Sequence, residues 1–143
     1  MQRITAGAGI QHSEFNASES DPVHLLQIWL LPNKKGLKPS YEERTLNGKN
    51  QTQKLRLIAA QKPRDGAATV NQDVELYVAR IGKGEHLNHP LKPGRHAWVQ
   101  VTRGSLTLNG VELKAGDGAA VSEEKALELA TSDTAEALIF DLA

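Results

Sequence analysis

The run Ala97-Trp98-Val99-Gln100-Val101-Thr102-Arg103-Gly104-Ser105-Leu106-Thr107-Leu108-Asn109-Gly110-Val111-Glu112-Leu113-Lys114 alternates with a period of two. Ala97, Val99 and Val101 fall on one face, and Trp98, Gln100 and Thr102 on the other. Side chains on a strand point alternately to its two sides, so this pattern reads as half-buried β structure. Asn109-Gly110 interrupts the alternation with two residues that accept positive φ, the chemistry a two-residue hairpin requires. Arg103-Gly104 reads as a second tight reversal, and Ala115-Gly116-Asp117-Gly118 as a third.

The same period extends outward. Val74, Leu76 and Val78 alternate with Glu75, Tyr77 and Ala79, and short apolar segments follow at Leu55–Ala60, Ala119–Val121, Ala126–Ala130 and Ala137–Leu142. Strands spaced in this way predict an all-β sandwich or barrel. No sustained 3.6-residue periodicity is present, which excludes a Rossmann or helical-bundle reading. Nearer the start, Pro22–Leu31 (PVHLLQIWLL) is apolar on both alternating faces and predicts a strand buried from both sides. Pro32–Pro39 reads as a surface connector, and residues 40–54 as extended chain or a short helix.

Composition narrows the function classes. The chain has 143 residues, with 17 Lys plus Arg against 17 Asp plus Glu, for a net charge of zero. That balance argues against a dedicated nucleic-acid or anionic-membrane binder. The absence of cysteine excludes disulfides, thiol catalysis and thiolate zinc sites. No apolar run approaches the roughly 18 residues of a membrane span and the first residues lack a signal-peptide pattern, so a cytoplasmic protein is expected. The zero conceals a gradient. Residues 34–64 carry nine positive and two negative charges, and residues 112–143 carry two positive and eight negative. Such segments either pair across neighbouring strands, present a bipolar surface, or stand solvated in loops.

Candidate chemistry sits near the start, in Thr5-Ala6-Gly7-Ala8-Gly9-Ile10-Gln11-His12-Ser13-Glu14-Phe15-Asn16. Gly7 and Gly9 permit a tight turn into a strand. His12 and Glu14, two apart, would then project from one strand face as an imidazole and a carboxylate, a donor pair suited to Fe, Mn, Ni, Cu or Zn. An ordinary surface pair with no metal role is the alternative. Two protein donors fall short of the three or four that a mononuclear centre takes.

The pattern Gly7-x-Gly9-x-x-His12-x-x-x-Asn16 resembles the second conserved motif of cupin barrels, and Thr5-Ala6-Gly7-x-Gly9-Ile10-x-His12-Ser13-Glu14 resembles pirins, the bicupin family. The likeness continues through His24–Trp29 with Pro32, Pro39-Ser40-Tyr41-Glu42, Asp73-x-Glu75-Leu76-Tyr77, Trp98–Val101, Gly104 with Asn109-Gly110, and Phe140-Asp141-Leu142. It implies an all-β cupin fold, a double-stranded β-helix or jelly-roll barrel. Residues 1–48 would be the last strands of an N-terminal cupin with its linker, and residues 49–143 a complete C-terminal cupin.

Pirins resembling this chain carry a His-x-His…His-x-Glu site for iron or another divalent metal. Several are associated with quercetin 2,3-dioxygenase activity. Carried over position by position, His12 and Glu14 would be metal ligands, with Glu14 as the catalytic base that takes the 3-hydroxyl proton of a flavonol. The His-x-His half lies upstream in pirins, and this chain begins eleven residues before His12. The resemblance therefore implies half a site, no tight metal binding and no activity for the chain alone. Glu85-His86-Leu87-Asn88-His89 weakly resembles a cupin histidine cluster, but Pro90 and Pro93 suggest that His86, His89 and His96 are polar loop residues. His24 reads as a packed strand histidine. The alternative function is an interaction or regulatory module acting through the charged segments. Remnant strands of an incomplete barrel would expose apolar faces, which implies a homodimer formed by strand exchange or docking. A symmetric dimer could also join two His12/Glu14 pairs into one four-ligand site.

Overall fold

The computed structural model describes residues 1–46 and 53–143. Eleven strands run through these residues, and no helix. They are β1 (Gln2–Thr5), β2 (Ser40–Glu43), β3 (Leu55–Ala60), β4 (Ala68–Thr69), β5 (Val74–Ile81), β6 (His86–Pro90), β7 (His96–Leu108), β8 (Val111–Lys114), β9 (Gly118–Val121), β10 (Ala126–Ala130) and β11 (Ala135–Leu142). The strand spacing and the all-β reading hold. β1 and β2 form a small antiparallel sheet of their own. The others form one curled sheet in the order β4-β3-β5-β11-β7-β10-β6, with β8 and β9 also hydrogen-bonded to β7.

The curl shows in who touches whom. His89 on β6, at one end of that order, packs edge-on against Tyr77 of β5 with ring centroids 4.9 Å apart. Its Nε2 lies 3.4 Å from Asp141 of β11. The sheet therefore wraps round an inner core that includes Leu57, Ile81, Val99, Leu127, Leu129 and Ile139. A second cluster lies on the other face of β3, β5 and β11, where Ile58, Val74, Leu76, Val78, Leu138 and Phe140 pack together. Met1, Leu30 and Leu46 from the N-terminal region pack against that outer face. Each fully buried aliphatic side chain here is worth about 2 kcal/mol of transfer free energy.

Asn109 and Gly110 have φ of 46° and 83°, as a two-residue hairpin between β7 and β8 requires. Gly116, at φ 97°, serves the turn into β9. The reversal expected at Arg103-Gly104 is absent. β7 runs unbroken for 13 residues, pairing first with β11 and then with β8. Gly104 has φ 70°, and a Cβ there would collide with the Thr134 carbonyl oxygen. Together with a register shift beside Glu136, it bends the strand from one part of the sheet into the next. A glycine after alternating residues signals a left-handed backbone, which serves a bend as well as a reversal.

Other expectations are corrected. Val74, Leu76 and Val78 are buried, but they face the outer cluster, while Tyr77, Ala79 and Ile81 face the inner one. Residues 86–90 are a strand, not a loop. Pro90 is tolerated because β6 is an edge with β10 on one side only. Pro22–Leu31 joins neither sheet, and Leu25, Trp29 and Leu31 are 53%, 85% and 81% exposed. The strands buried on both faces are β3, β5 and β11 instead. Residues 40–43 are extended, as β2; the rest of the 40–54 expectation lies partly outside the described residues, as does the expected boundary at 48/49. Among the described residues, no ion pair joins the basic 34–64 segment to the acidic 112–143 segment.

Candidate metal half-site and its groove

The β1–β2 pair is the base of the site. Arg3 crosses it, donating to Ser40 Oγ at 2.7 Å, to Thr5 Oγ1 at 3.0 Å and to Glu42 Oε2 at 3.0 Å. The hydrogen bond from Arg3 holds the Glu42 carboxyl below its ordinary range. After β1 the chain turns at Gly7 and Gly9, with φ of 57° and 125°, and the Gly9 amide donates to the Ala6 carbonyl at 2.8 Å. Gly7 leaves no room for a side chain, since its Cβ would lie 2.8 Å from Pro39. The close approach lets residues 36–39 return over the turn. The tight turn expected at these glycines is present, but it does not lead into a strand.

Beyond the turn, Gln11, His12, Ser13 and Glu14 line one wall of an open groove of about 540 Å³. Gln2, Ile4, Pro39, Ser40 and Tyr41 line the other. His12 and Glu14 are exposed and lie outside any strand, so the strand expected to carry them is absent. The groove nonetheless brings both to one place. It also supplies a residue that donor counting on the sequence missed. The Tyr41 hydroxyl donates to Glu43 at 3.3 Å. Its phenol is pushed up from the ordinary value by desolvation and by the Glu43 and Glu14 carboxylates. Spacing could not have found this neighbour, because Tyr41 lies 27 positions beyond Glu14.

The donor set does not fit a complete mononuclear metal centre. His12 and Glu14 supply two donors, and among the described residues no group of three His, Cys, Asp or Glu is placed to hold an ion. His24, His86 and His96 are exposed, against the packed-strand expectation for His24. His96 Nδ1 is 2.8 Å from Ser122 Oγ.

His89 departs further from the loop reading, because it is buried in a polar cluster at one end of the curled sheet. Arg64 grips Glu75 through two bonds of 2.6 and 3.0 Å, and it also donates to Tyr77 Oη at 3.2 Å. The Tyr77 hydroxyl itself donates to Glu75. Arg64, assisted by Tyr77, holds the Glu75 carboxyl at about 2, against the opposing effect of burial. Burial and the Glu75 carboxylate push the Tyr77 phenol up to about 12. Arg95 bonds Asp141 and reaches Asp73 at 3.0 Å. His89 Nε2 is buried without a hydrogen-bond partner. The sequence signal for this cluster was Glu75-x-Tyr77, a carboxylate and a phenol on one strand face.

Comparison with known proteins follows the same division. Residues 57–142 match the family described as quercetinase C-terminal cupin domain, and residues 1–30 match the family described as pirin. The chain is 38% identical over 142 residues to a quercetin 2,3-dioxygenase of Escherichia coli, covering 99% of this chain and 60% of that protein. It superimposes on the crystal structure of Escherichia coli YhhW with a TM-score of 0.91 at 38% identity, covering 99% of this chain and 59% of the other. Bacterial pirin YhhW in complex with nickel(II), also from Escherichia coli, gives 0.86 at 38% identity, with 99% and 60% covered. The chain thus spans about 60% of the length of the curated relatives it matches. No helix among the described residues is long and apolar enough to cross a membrane.

Proposed function

The chain belongs to the pirin family, and on that premise we propose that its groove is one half of a quercetin 2,3-dioxygenase-like site. The observation that carries this reading is the meeting of His12, Glu14 and Tyr41 on one groove. The chain is also 38% identical to a quercetin 2,3-dioxygenase. His12 and Glu14 are the donors this chain offers to iron or another divalent metal. Two donors hold such an ion weakly, so no reaction step is assigned to a metal on this chain. Its own residues offer a ligand apolar walls at Ile4, Ile10 and Pro39, and the Glu14 carboxylate as a proton acceptor for an acidic hydroxyl. A flavonol is the substrate class. We assign residues 1–48 to the end of an N-terminal cupin domain and 49–143 to a C-terminal one. Cytoplasmic location completes the proposal.

The 143 residues alone are expected to be inactive. After incubation with nickel(II) or iron(II) and desalting, elemental analysis should find well below one ion per chain, and flavonol depletion should stay at background. Stoichiometric metal with turnover overturns the proposal of a half-site.

A second reading has its own support. Lys34, Lys35 and Lys38 are exposed, and among the described residues none of them makes an ion pair. An interaction module would use them to dock an acidic partner surface. In that case binding weakens steeply with salt and needs neither His12 nor Glu14.

A further inference from the structure

We propose that Asn109 is a latent modification site: the folded hairpin keeps its side-chain amide from closing onto Gly110, and its conversion to aspartate or isoaspartate when the hairpin opens loosens β10 and β6 from β7. The residues concerned lie between His86 and Ala130, apart from the half-site.

Asn109 does more than turn the chain. β10 meets β7 through two register pairs, Leu129 with Leu108 and Ala130 with Thr107. A continued antiparallel ladder would bond residue 109 to Glu128 and then residue 111 to Ala126. By that point the chain has turned away at Asn109-Gly110 to form β8. The Asn109 main-chain amide still donates to the Glu128 carbonyl at 2.9 Å. Its side chain makes the other two bonds. Oδ1 accepts from the Glu128 amide at 2.7 Å, in place of the residue's own carbonyl. Nδ2 donates to the Ala126 carbonyl at 3.1 Å, in place of the amide of residue 111. A primary amide can do this because it sets an acceptor and a donor side by side.

Much hangs on that junction. Among the described residues, β6 pairs with β10 only. β10 in turn carries Leu127 and Leu129, both fully buried in the core. The three bonds from Asn109 thus tie a two-strand unit to the rest of the sheet.

The same amide has a reactive neighbour, because glycine offers it an unhindered backbone nitrogen. The Gly110 nitrogen, its proton lost to water, attacks Asn109 Cγ. A C–N bond forms, the Cγ–Nδ2 bond breaks, and Nδ2 takes a proton from water and leaves as ammonia. Water then opens the cyclic imide at either carbonyl, giving aspartate or isoaspartate. The net reaction consumes one water, releases one ammonia and needs no oxidant or reductant. Closing the five-membered ring requires the Gly110 nitrogen to lie on the same side of the Cα–C bond as Cβ. With Asn109 at φ 46°, in the left-handed conformation of the hairpin, that nitrogen points nearly opposite. The amide would also have to give up both bonds to β10. Reaction therefore waits for the hairpin to open.

Neither product can rebuild the junction. The second oxygen of an aspartate would meet the Ala126 carbonyl as acceptor against acceptor. Isoaspartate adds a methylene to the main chain within a two-residue turn.

Incubating the 143-residue chain at mildly alkaline pH, with and without urea, and following Asn109 by peptide mass spectrometry tests the latency. Conversion should run more than about tenfold slower in the folded chain, because it needs local opening. Equal rates in the two conditions overturn the proposal. Asn109→Asp installs one product directly, and hydrogen exchange resolved by peptide reads its effect. Exchange should quicken about tenfold in β6 and β10 while β5 and β11 keep their wild-type rates, with circular dichroism showing the β-sheet retained. Unchanged exchange in β6 and β10, or a uniform rise in every strand, overturns the loosening.

Discussion

Glu75 and Glu14 are both carboxylates with a tyrosine at hand, and they stand in opposite conditions. Glu75 is held by both arms of Arg64 and by Tyr77, and its neighbours Asp73 and Asp141 are held by Arg95. Every acid in that cluster has its cation within the fold. Glu14 lies exposed on an open groove, and Tyr41 beside it is turned to Glu43 instead. Charges that satisfy one another stiffen the sheet and leave nothing to offer a ligand. Charges left facing solvent add little stability and keep their capacity to bind. Sequence likeness alone would treat the two clusters as equals, because both fall within motifs that resemble the family.

The sharpest way to break this contrast is through the apolar core that supports the closed cluster. Ile139 is fully buried on β11, two residues before Asp141. Ile139→Ala should cost about 3–4 kcal/mol of unfolding free energy, measured by urea denaturation. Asp141→Asn comes next, at about 2–3 kcal/mol, because it leaves Arg95 with a weakened partner in a largely buried setting. A smaller effect is expected at Glu75, which is partly exposed and therefore screened. Its carboxyl is lowered from 4.5 to about 2, so its contribution is complete above pH 4.5 and is lost as pH falls towards 2. Glu75→Gln should then be about 1 kcal/mol less stable than wild type at pH 7, with the gap closing near pH 2. The smallest effect marks the other side of the comparison. Phe15, 87% exposed in the N-terminal segment, should tolerate Ala within about 0.5 kcal/mol.

Much of the fold was legible because much of it is local. Alternation placed β5, β7 and β8, and Asn109-Gly110 placed the hairpin, since positive φ at two adjacent residues is a requirement of the turn itself. What misled was information held elsewhere in the chain. Pro22–Leu31 and β11 are both apolar on successive residues, yet only β11 is flanked by strands, β5 on one side and β7 on the other. An apolar run says that a strand would gain from partners; it does not say that partners are present. His89 was misread for the related reason that a proline beside it suggests a loop until β6 is known to be an edge. At the site, the turn at Gly7 and Gly9 could be read from the residues, whereas the strand expected to carry His12 and Glu14 does not form, although both line the groove. Tyr41 could not be read in that way, because β1–β2 pairing brings it there from far along the chain.

The position of β11 carries one more consequence. It follows every one of its partners in chain order, yet it sits in the middle of the sheet, with β5 and β7 on its flanks. During synthesis, those two strands leave the ribosome with their inner edges bare, and neither can close the sheet until Ala135–Leu142 has been made. The nascent chain therefore spends its growth as an open sheet with two sticky edges. Its assembly is committed by a strand that emerges after both of its neighbours.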